Sequence, residues 1–330
     1  MHCGRARLIH VVVAVAIVSG VFLAHGAALA QSDYPGRPVR ILVGQTPGGP
    51  TDIPARLLAQ RLSDRMGQPF VVENRPGAAS AIATEAVAKA PKDGHTLLMI
   101  SPQHVTNPYL YPTLPYDSVK DFAPVSLVSK AVLVLVVHPD VPVKTFGELL
   151  AYVRERPGKV NWSSAGNGGT GHLALELLRA ATGIDVVHVP YKGAQASLTD
   201  LVAGRVQMAF DSVTTSNPHV RAGRLRPIVV TSTVRAPMMP EVPTVAESGI
   251  AGYEAVGFAA LLAPAGTPRE IIARLSQEVS GALRQGETRE QILRIGMEPV
   301  GSSPPELDDY LREEFAKWGK IIREAKIKAE

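Results

Sequence analysis

Two short stretches carry residue types that could hold an anion. Residues 44–52 read Gly-Gln-Thr-Pro-Gly-Gly-Pro-Thr-Asp, and residues 164–172 read Ser-Ala-Gly-Asn-Gly-Gly-Thr-Gly-His. Each follows a β-rich run and precedes an amphipathic helical pattern, with Thr51 and Thr170 as the candidate N-caps. Glycines let the backbone approach a ligand, and the free amides and dipole at a helix start favour negative charge. One terminus contributes about 0.3–1 kcal/mol. Micromolar affinity needs about 8 kcal/mol, so several hydrogen bonds must act together. Either stretch alone could be no more than a tight strand-to-helix turn. The presence of both points to an anion site.

Residues 166–171 also spell Gly-x-Gly-x-x-Gly, the dinucleotide fingerprint. That fingerprint needs an acidic residue at the carboxyl end of the following strand, whereas Asp185 precedes the run "VVHVPY". A nicotinamide cofactor is therefore not expected, nor is any other cofactor. His95, His104, His138, His172, His188 and His219 show no metal-ligand spacing, and no nucleophile motif or phosphate-binding lysine loop is present. His188 reads as a strand residue, and His172 as a local hydrogen-bonding group in a first helical turn. Asp308-Asp309 and Glu313-Glu314 read as a solvated helix face. Asp211 ends "VQMAFD" at the edge where α/β proteins bind ligands; a ligand contact and a cap for the next turn remain equally open. No catalytic group and no metal site are expected, and the protein is not read as an enzyme.

The elements that must position these turns alternate in type. Strands are expected at 39–43, 96–100, 132–137, 160–163, 186–189, 206–210 and 227–231. Helices follow Thr145 with Glu148, Thr267-Pro268 with Glu270, and Ser303-Pro304 with Glu306, all read as capping boxes. The stripe Ile53, Leu57, Leu58, Leu62 should be the buried face behind the first turn, ending at Gly67. Leu173, Leu177, Leu178 and Ala181 should be that behind the second, ending at Gly183. The expected class is α/β with mainly parallel sheets flanked by helices. The apolar runs 132–137 and 255–263 suit strands passing between two lobes.

At the amino terminus, Arg5 and Arg7 precede an apolar stretch that closes on Ala28-Leu29-Ala30. Basic head, short apolar middle and small-x-small exit describe a signal peptide of residues 1–30, interrupted too often to span a bilayer. Its removal leaves 300 residues, takes the sole cysteine, Cys3, and leaves 32 Lys and Arg against 30 Asp and Glu. Disulfide and thiol chemistry are then excluded. A nearly neutral chain without basic blocks argues against nucleic acid as a partner, and 5% aromatic content argues against a carbohydrate-stacking surface.

The run "PGGPTDIPARLLAQRLSDRMGQPFVVENRPGA" resembles the substrate-binding proteins of tripartite tricarboxylate transporters, the TctC or Bug receptor family. "NPYLYPTLPYDSVKDFAPVSLV", "GNGGTGHLALELL" and "VHVPYKGAQASLTDLVAGRVQMAFDS" extend the likeness across nearly all of residues 33–325. The resemblance implies a two-lobed, type II periplasmic-binding-protein-like fold with two crossover strands. Residues 31–132 plus 256–330 would form one lobe and 133–255 the other. It implies a monomeric periplasmic receptor that captures a small organic carboxylate for a membrane transporter, or alternatively a ligand-responsive sensor docking to a membrane signalling protein. By position it assigns ligand binding to Thr46, Gly48, Gly49 and Asp52 in the first turn, and to Ser164, Asn167, Gly168 and Thr170 in the second. Gln103 and Asp211 match further pocket positions. The chain departs from the family where relatives commonly carry Pro-Phe at Gly44-Gln45, serine or threonine at Gly169 and Gly171, and tryptophan at Phe258. Those departures suggest a differently shaped or more polar ligand.

Overall fold

In the computed structural model, residues 34–191 and 193–328 are described; the expected signal peptide and its cleavage site lie outside them. The chain divides after Gly36, and every helix and strand of the described residues belongs to the unit from Arg37 onward. That unit opens with β1 (Val39–Val43), α1 (Asp52–Met66), β2 (Phe70–Asn74), a 3-10 turn at Ala78–Ser80, α2 (Ala81–Ala88), β3 (Thr96–Ile100) and α3 (Gln103–Leu110). The long β4 (Phe122–Ala131) runs into β5 (Leu133–Val137) with only Val132 between them. Next come α4 (Phe146–Arg154), β6 (Asn161–Ser164), α5 (Thr170–Thr182), β7 (Val187–Pro190), α6 (Ala194–Val202), β8 (Met208–Ser212), α7 (Val213–Arg221) and β9 (Arg226–Val230). The chain ends with β10 (Gly257–Pro264), α8 (Arg269–Arg284), α9 (Glu287–Arg294), β11 (Met297–Pro299) and α10 (Pro304–Glu324).

These strands make two sheets flanked by helices. The first has the order β11-β4-β10-β3-β1-β2 and the second β7-β6-β8-β5-β9. The first sheet thus takes its strands from both sides of the segment that builds the second. Parallel pairing is less general than expected. β1 pairs parallel with β2 and β3, and β6 with β7 and β8, where helical crossovers return the chain to the same end. β10 is antiparallel to β3 and β4, β11 to β4, and β5 to β8 and β9. The directions of β4 and β5 follow from direct passage between the sheets rather than from a crossover helix.

Central strands buried on both faces read as unbroken apolar runs. β3 (TLLMI) and β5 (LVLVV) are buried at every position. Each such aliphatic side chain contributes roughly 1.5–3 kcal/mol by leaving water. Trp162 of β6 is fully buried against Phe210 of β8, ring centroids 5.1 Å apart. Behind the first turn Leu58 and Leu62 are buried, while Ile53 and Leu57 are half-buried; behind the second, Leu173 and Leu178 are buried and Ala181 is exposed.

The three expected capping boxes differ. Ser303 makes the full box: its hydroxyl accepts the Glu306 amide, and the Glu306 carboxylate accepts the Ser303 amide. Thr145 makes half of one, because the Glu148 carboxylate takes the Lys144 amide instead. At Thr267 none forms. The helix begins one residue late with Pro268 as N-cap, and the Thr267 hydroxyl donates to the Pro264 carbonyl.

Candidate ligand-binding cleft

A cleft of about 260 Å³ opens between the two sheets. From the first sheet it is walled by Gln45 after β1, Thr51 before α1, Ser101 to Gln103 after β3, Ser129 and Ala131 on β4, and Gly257 and Phe258 on β10. From the second it receives Leu133 of β5, Gly168 to Thr170 before and at the start of α5, and Ser212 before α7. The starts of four helices, α1, α3, α5 and α7, therefore converge on one space. None of the lining residues carries a formal charge. An anion here would be met by hydroxyls, side-chain amides and helix-start dipoles, without an arginine or lysine. A larger depression of about 920 Å³ runs along α8 beside Arg65, Arg269 and Arg284, away from both glycine-rich turns.

Both turns are braced from within. Gly48 (φ +82°) donates its amide to Asp52 Oδ2 at 2.8 Å. Asp52 also accepts from Arg56 at 2.9 Å and from Asn74 at 2.8 Å. Burial raises the Asp52 pKa, but Arg56, the Gly48 amide and Asn74 outweigh it and hold the carboxyl below its ordinary value. In the second turn Gly168 (φ +68°) donates to His172 Nδ1 at 3.0 Å, leaving the ring proton on Nε2, 3.6 Å from Glu176. His172 stacks on His188 with centroids 3.9 Å apart. Burial, reinforced by the charge His172 can carry, pushes His188 down to about 4. His188 Nε2 lies 2.7 Å from Ser164 Oγ. This serine–histidine contact cannot serve as a nucleophile pair, because Ser164 is 2% exposed and does not line the cleft.

Of the ten residues the resemblance assigns, Gln103, Gly168 and Thr170 line the cleft. The other seven do not. Thr46, Gly48 and Asn167 are exposed, and the Gly49 carbonyl accepts the Ile53 amide. Asp52 is buried as a brace and Ser164 is tied to the turn at Gly166. Asp211 lies within β8, which starts and ends two residues later than expected, and accepts from Thr215 and Ser216. It accepts hydroxyls from the first turn of α7, whose N-cap is Ser212, and burial raises its pKa. The Gly168 amide is spent on His172. The donors that α5 still offers are the amides of Thr170, Gly171 and His172, ahead of the first helical bond from Leu173 to Gly169. Neither Thr51 nor Thr170 caps with its side chain; Thr51 takes helical angles, and Gly169 is the N-cap of α5.

Sequence reading missed Ser129, Leu133, Ser212 and Gly257, since no local pattern marks which strand residues face a gap between sheets. One departure from the family pattern acquires a reason. A Cβ on Gly171 would meet the Phe210 carbonyl oxygen at 2.7 Å, so a hydroxyl residue is shut out there. Gly169 has no such constraint; its Cβ would lie 3.4 Å from its nearest neighbour.

The family model described as "Tripartite tricarboxylate transporter family receptor" matches residues 54–327. Protein BugT of Bordetella pertussis is 36% identical over 318 residues, covering 94% of this chain and 98% of its own. Among solved structures, R. palustris Rpa4515 with adipate shares 39% identity at a TM-score of 0.77, covering 89% of this chain and 99% of that one. MatC from Rhodopseudomonas palustris with bound malate shares 33% at 0.72, covering 88% and 100%. With its two sheets, interposed cleft and matching length, this chain belongs to the tripartite tricarboxylate transporter family of receptors.

Proposed function

We propose that the protein is an extracytoplasmic receptor that holds a small organic carboxylate between two lobes and hands it to a tripartite tricarboxylate-type membrane transporter. The observation that carries this reading is the convergence of four helix starts on an uncharged cleft. Such a site favours an anion through dipoles while leaving neither a buried cation nor a metal to be satisfied. Structures of relatives with adipate and with malate support the ligand class. Residues 31–132 plus 256–330 would act as one lobe and 133–255 as the other, with the passages near Val132 and residue 256 as hinges. Removal of residues 1–30 would deliver the receptor to the periplasm. Thr170, Gln103 and the amides that open α5 are the contacts proposed for the ligand.

The test is a thermal-shift screen of the mature protein against mono-, di- and tricarboxylates, amino acids and uncharged sugars. A ligand at one hundred times its Kd stabilises the native state by about 2.7 kcal/mol, a shift easily read. Stabilisation by carboxylates alone is expected. Stabilisation by sugars and by no acid would overturn the proposal.

A further inference from the structure

Four helix starts reach the cleft, but they differ in what they still offer a ligand. At α1 the Ile53 amide bonds to the Gly49 carbonyl at 3.1 Å, and the Ala55 amide to the Thr51 carbonyl at 3.3 Å. Pro54 has no amide proton, and Asp52, 1% exposed, already brings a carboxylate to that start. At α3 the His104 amide bonds to the Ser101 carbonyl, and those of Val105 and Thr106 bond to the Pro102 carbonyl. At α7 Val213 donates to the Val132 carbonyl at 3.1 Å, and Thr214 to the Ser212 hydroxyl at 3.2 Å. The next two residues, Thr215 and Ser216, give their hydroxyls to the Asp211 carboxyl.

The start of α5 is different. Its N-cap, Gly169, has no side chain to take an amide, and Thr170, Gly171 and His172 donate theirs to no described residue. Three amides in succession, with the helix dipole behind them, suit one carboxylate. Three hydroxyls on the cleft walls also bond to no described residue: those of Thr51 and Ser129, 3% and 1% exposed, and that of Thr170. Each is a single neutral donor that can supplement the amides.

The floor of the cleft has another character. Ser129, Ala131 and Leu133 alternate along the passage from β4 to β5, so they share a face, and all three line the cleft. Beyond Ser129 that face is apolar. Gly257, the register partner of Ala131, and Phe258 extend it on β10. A charged group laid there would lose its hydration and meet no opposite charge among the lining residues. In a space of about 260 Å³ it would also lie close to the first carboxylate, and like charges so placed repel.

We infer that the cleft accommodates one negative charge, seated at the start of α5, so that the ligand is a monocarboxylate whose uncharged body rests on Ala131, Leu133 and Phe258. This rests on the carboxylate reading above and narrows it.

The experiment is calorimetric titration of the mature protein near pH 7.5, where the carboxyl groups of the probes are ionised. Butanoate is compared with succinate, pentanoate with glutarate, hexanoate with adipate, and benzoate with terephthalate, each monoacid being supplied with and without one hydroxyl group. At least one monoacid should bind about tenfold or more tighter than its paired diacid. The seat itself is tested with Gly169→Asp. An N-cap aspartate takes the α5 amides with its own carboxylate, and Gly169 has an ordinary φ and room for a Cβ. Binding of the preferred monoacid should weaken at least about tenfold more in that variant than in Gly169→Asn, which has the same shape without the charge. Melting temperatures check the fold of both; should the aspartate variant not fold, the paired acids on the native protein decide alone. A ratio under tenfold for every pair, or equal binding by the two folded variants, overturns the inference and leaves the carboxylate reading standing. If no acid of either series binds the native protein, the carboxylate reading falls and the inference with it.

Discussion

His104, the second residue of α3, follows the cleft residue Gln103 and is 4% exposed. Its Nε2 lies 2.9 Å from the Ser118 carbonyl, so Nε2 carries the proton and donates. Phe122 packs edge-on at 5.1 Å, and Nδ1 is buried without a partner. A second proton would go onto that Nδ1, creating a buried cation with an unmet donor. Burial accordingly pushes the imidazole from 6.5 down to about 4, with the Ser118 contact opposing. The unfolded chain takes up a proton near 6.5 and the native protein does not until about 4. Stability is therefore lost as the pH falls through that window, and it is retained above it. Between pH 7 and pH 5 the loss from this one residue is about 2 kcal/mol. His188 acts in the same direction, whereas the raised Asp211 acts in the opposite one. The contribution of His104 is therefore read as a difference between proteins. Urea unfolding at both pH values should show the wild type losing about 2 kcal/mol more than His104→Gln, whose amide can still donate to Ser118. An equal loss in the two proteins would refute the reasoning.

Ser303→Ala removes the hydroxyl half of the complete capping box on α10 and should cost about 1 kcal/mol in urea unfolding; no loss would mean that the box contributes nothing. Gly171→Ser should lower the melting temperature by an amount equivalent to about 1–3 kcal/mol, because its Cβ meets the Phe210 carbonyl. Gly169→Ser, at ordinary φ and with room for a Cβ, should stay within about 0.5 kcal/mol of the wild type. Equal melting of the two serine variants would contradict the packing described at α5.

The strands 39–43 and 96–100 were legible to the residue, because central strands are rich in apolar residues: β3 is buried throughout, and β1 is broken only by the exposed Arg40. The glycine-rich turns and the helices behind them were legible because glycine and the 3.6-residue repeat are local signals. So was the full cap at Ser303, whose hydrogen bonds join residues three apart. Whether Thr267 capped or turned its hydroxyl to Pro264 depended on where the preceding strand delivered the chain, and no pattern in the sequence records that.

For the cleft the division is sharper. The sequence by itself determined the elements, the paired turns and the family likeness, since these reside in residue type and spacing. Which atoms of those turns remain available was decided only in three dimensions. Asp52 spends the Gly48 amide, His172 spends that of Gly168, and Asp211 is drawn to Thr215 and Ser216. Only the fold sets Ser129 and Ser212, 83 positions apart in the chain, on one cleft and presses Gly44 against Ser80. The physical reason is that a donor has one proton to give. Whether a ligand or the protein receives it depends on neighbours that the tertiary structure alone brings within 3 Å or so.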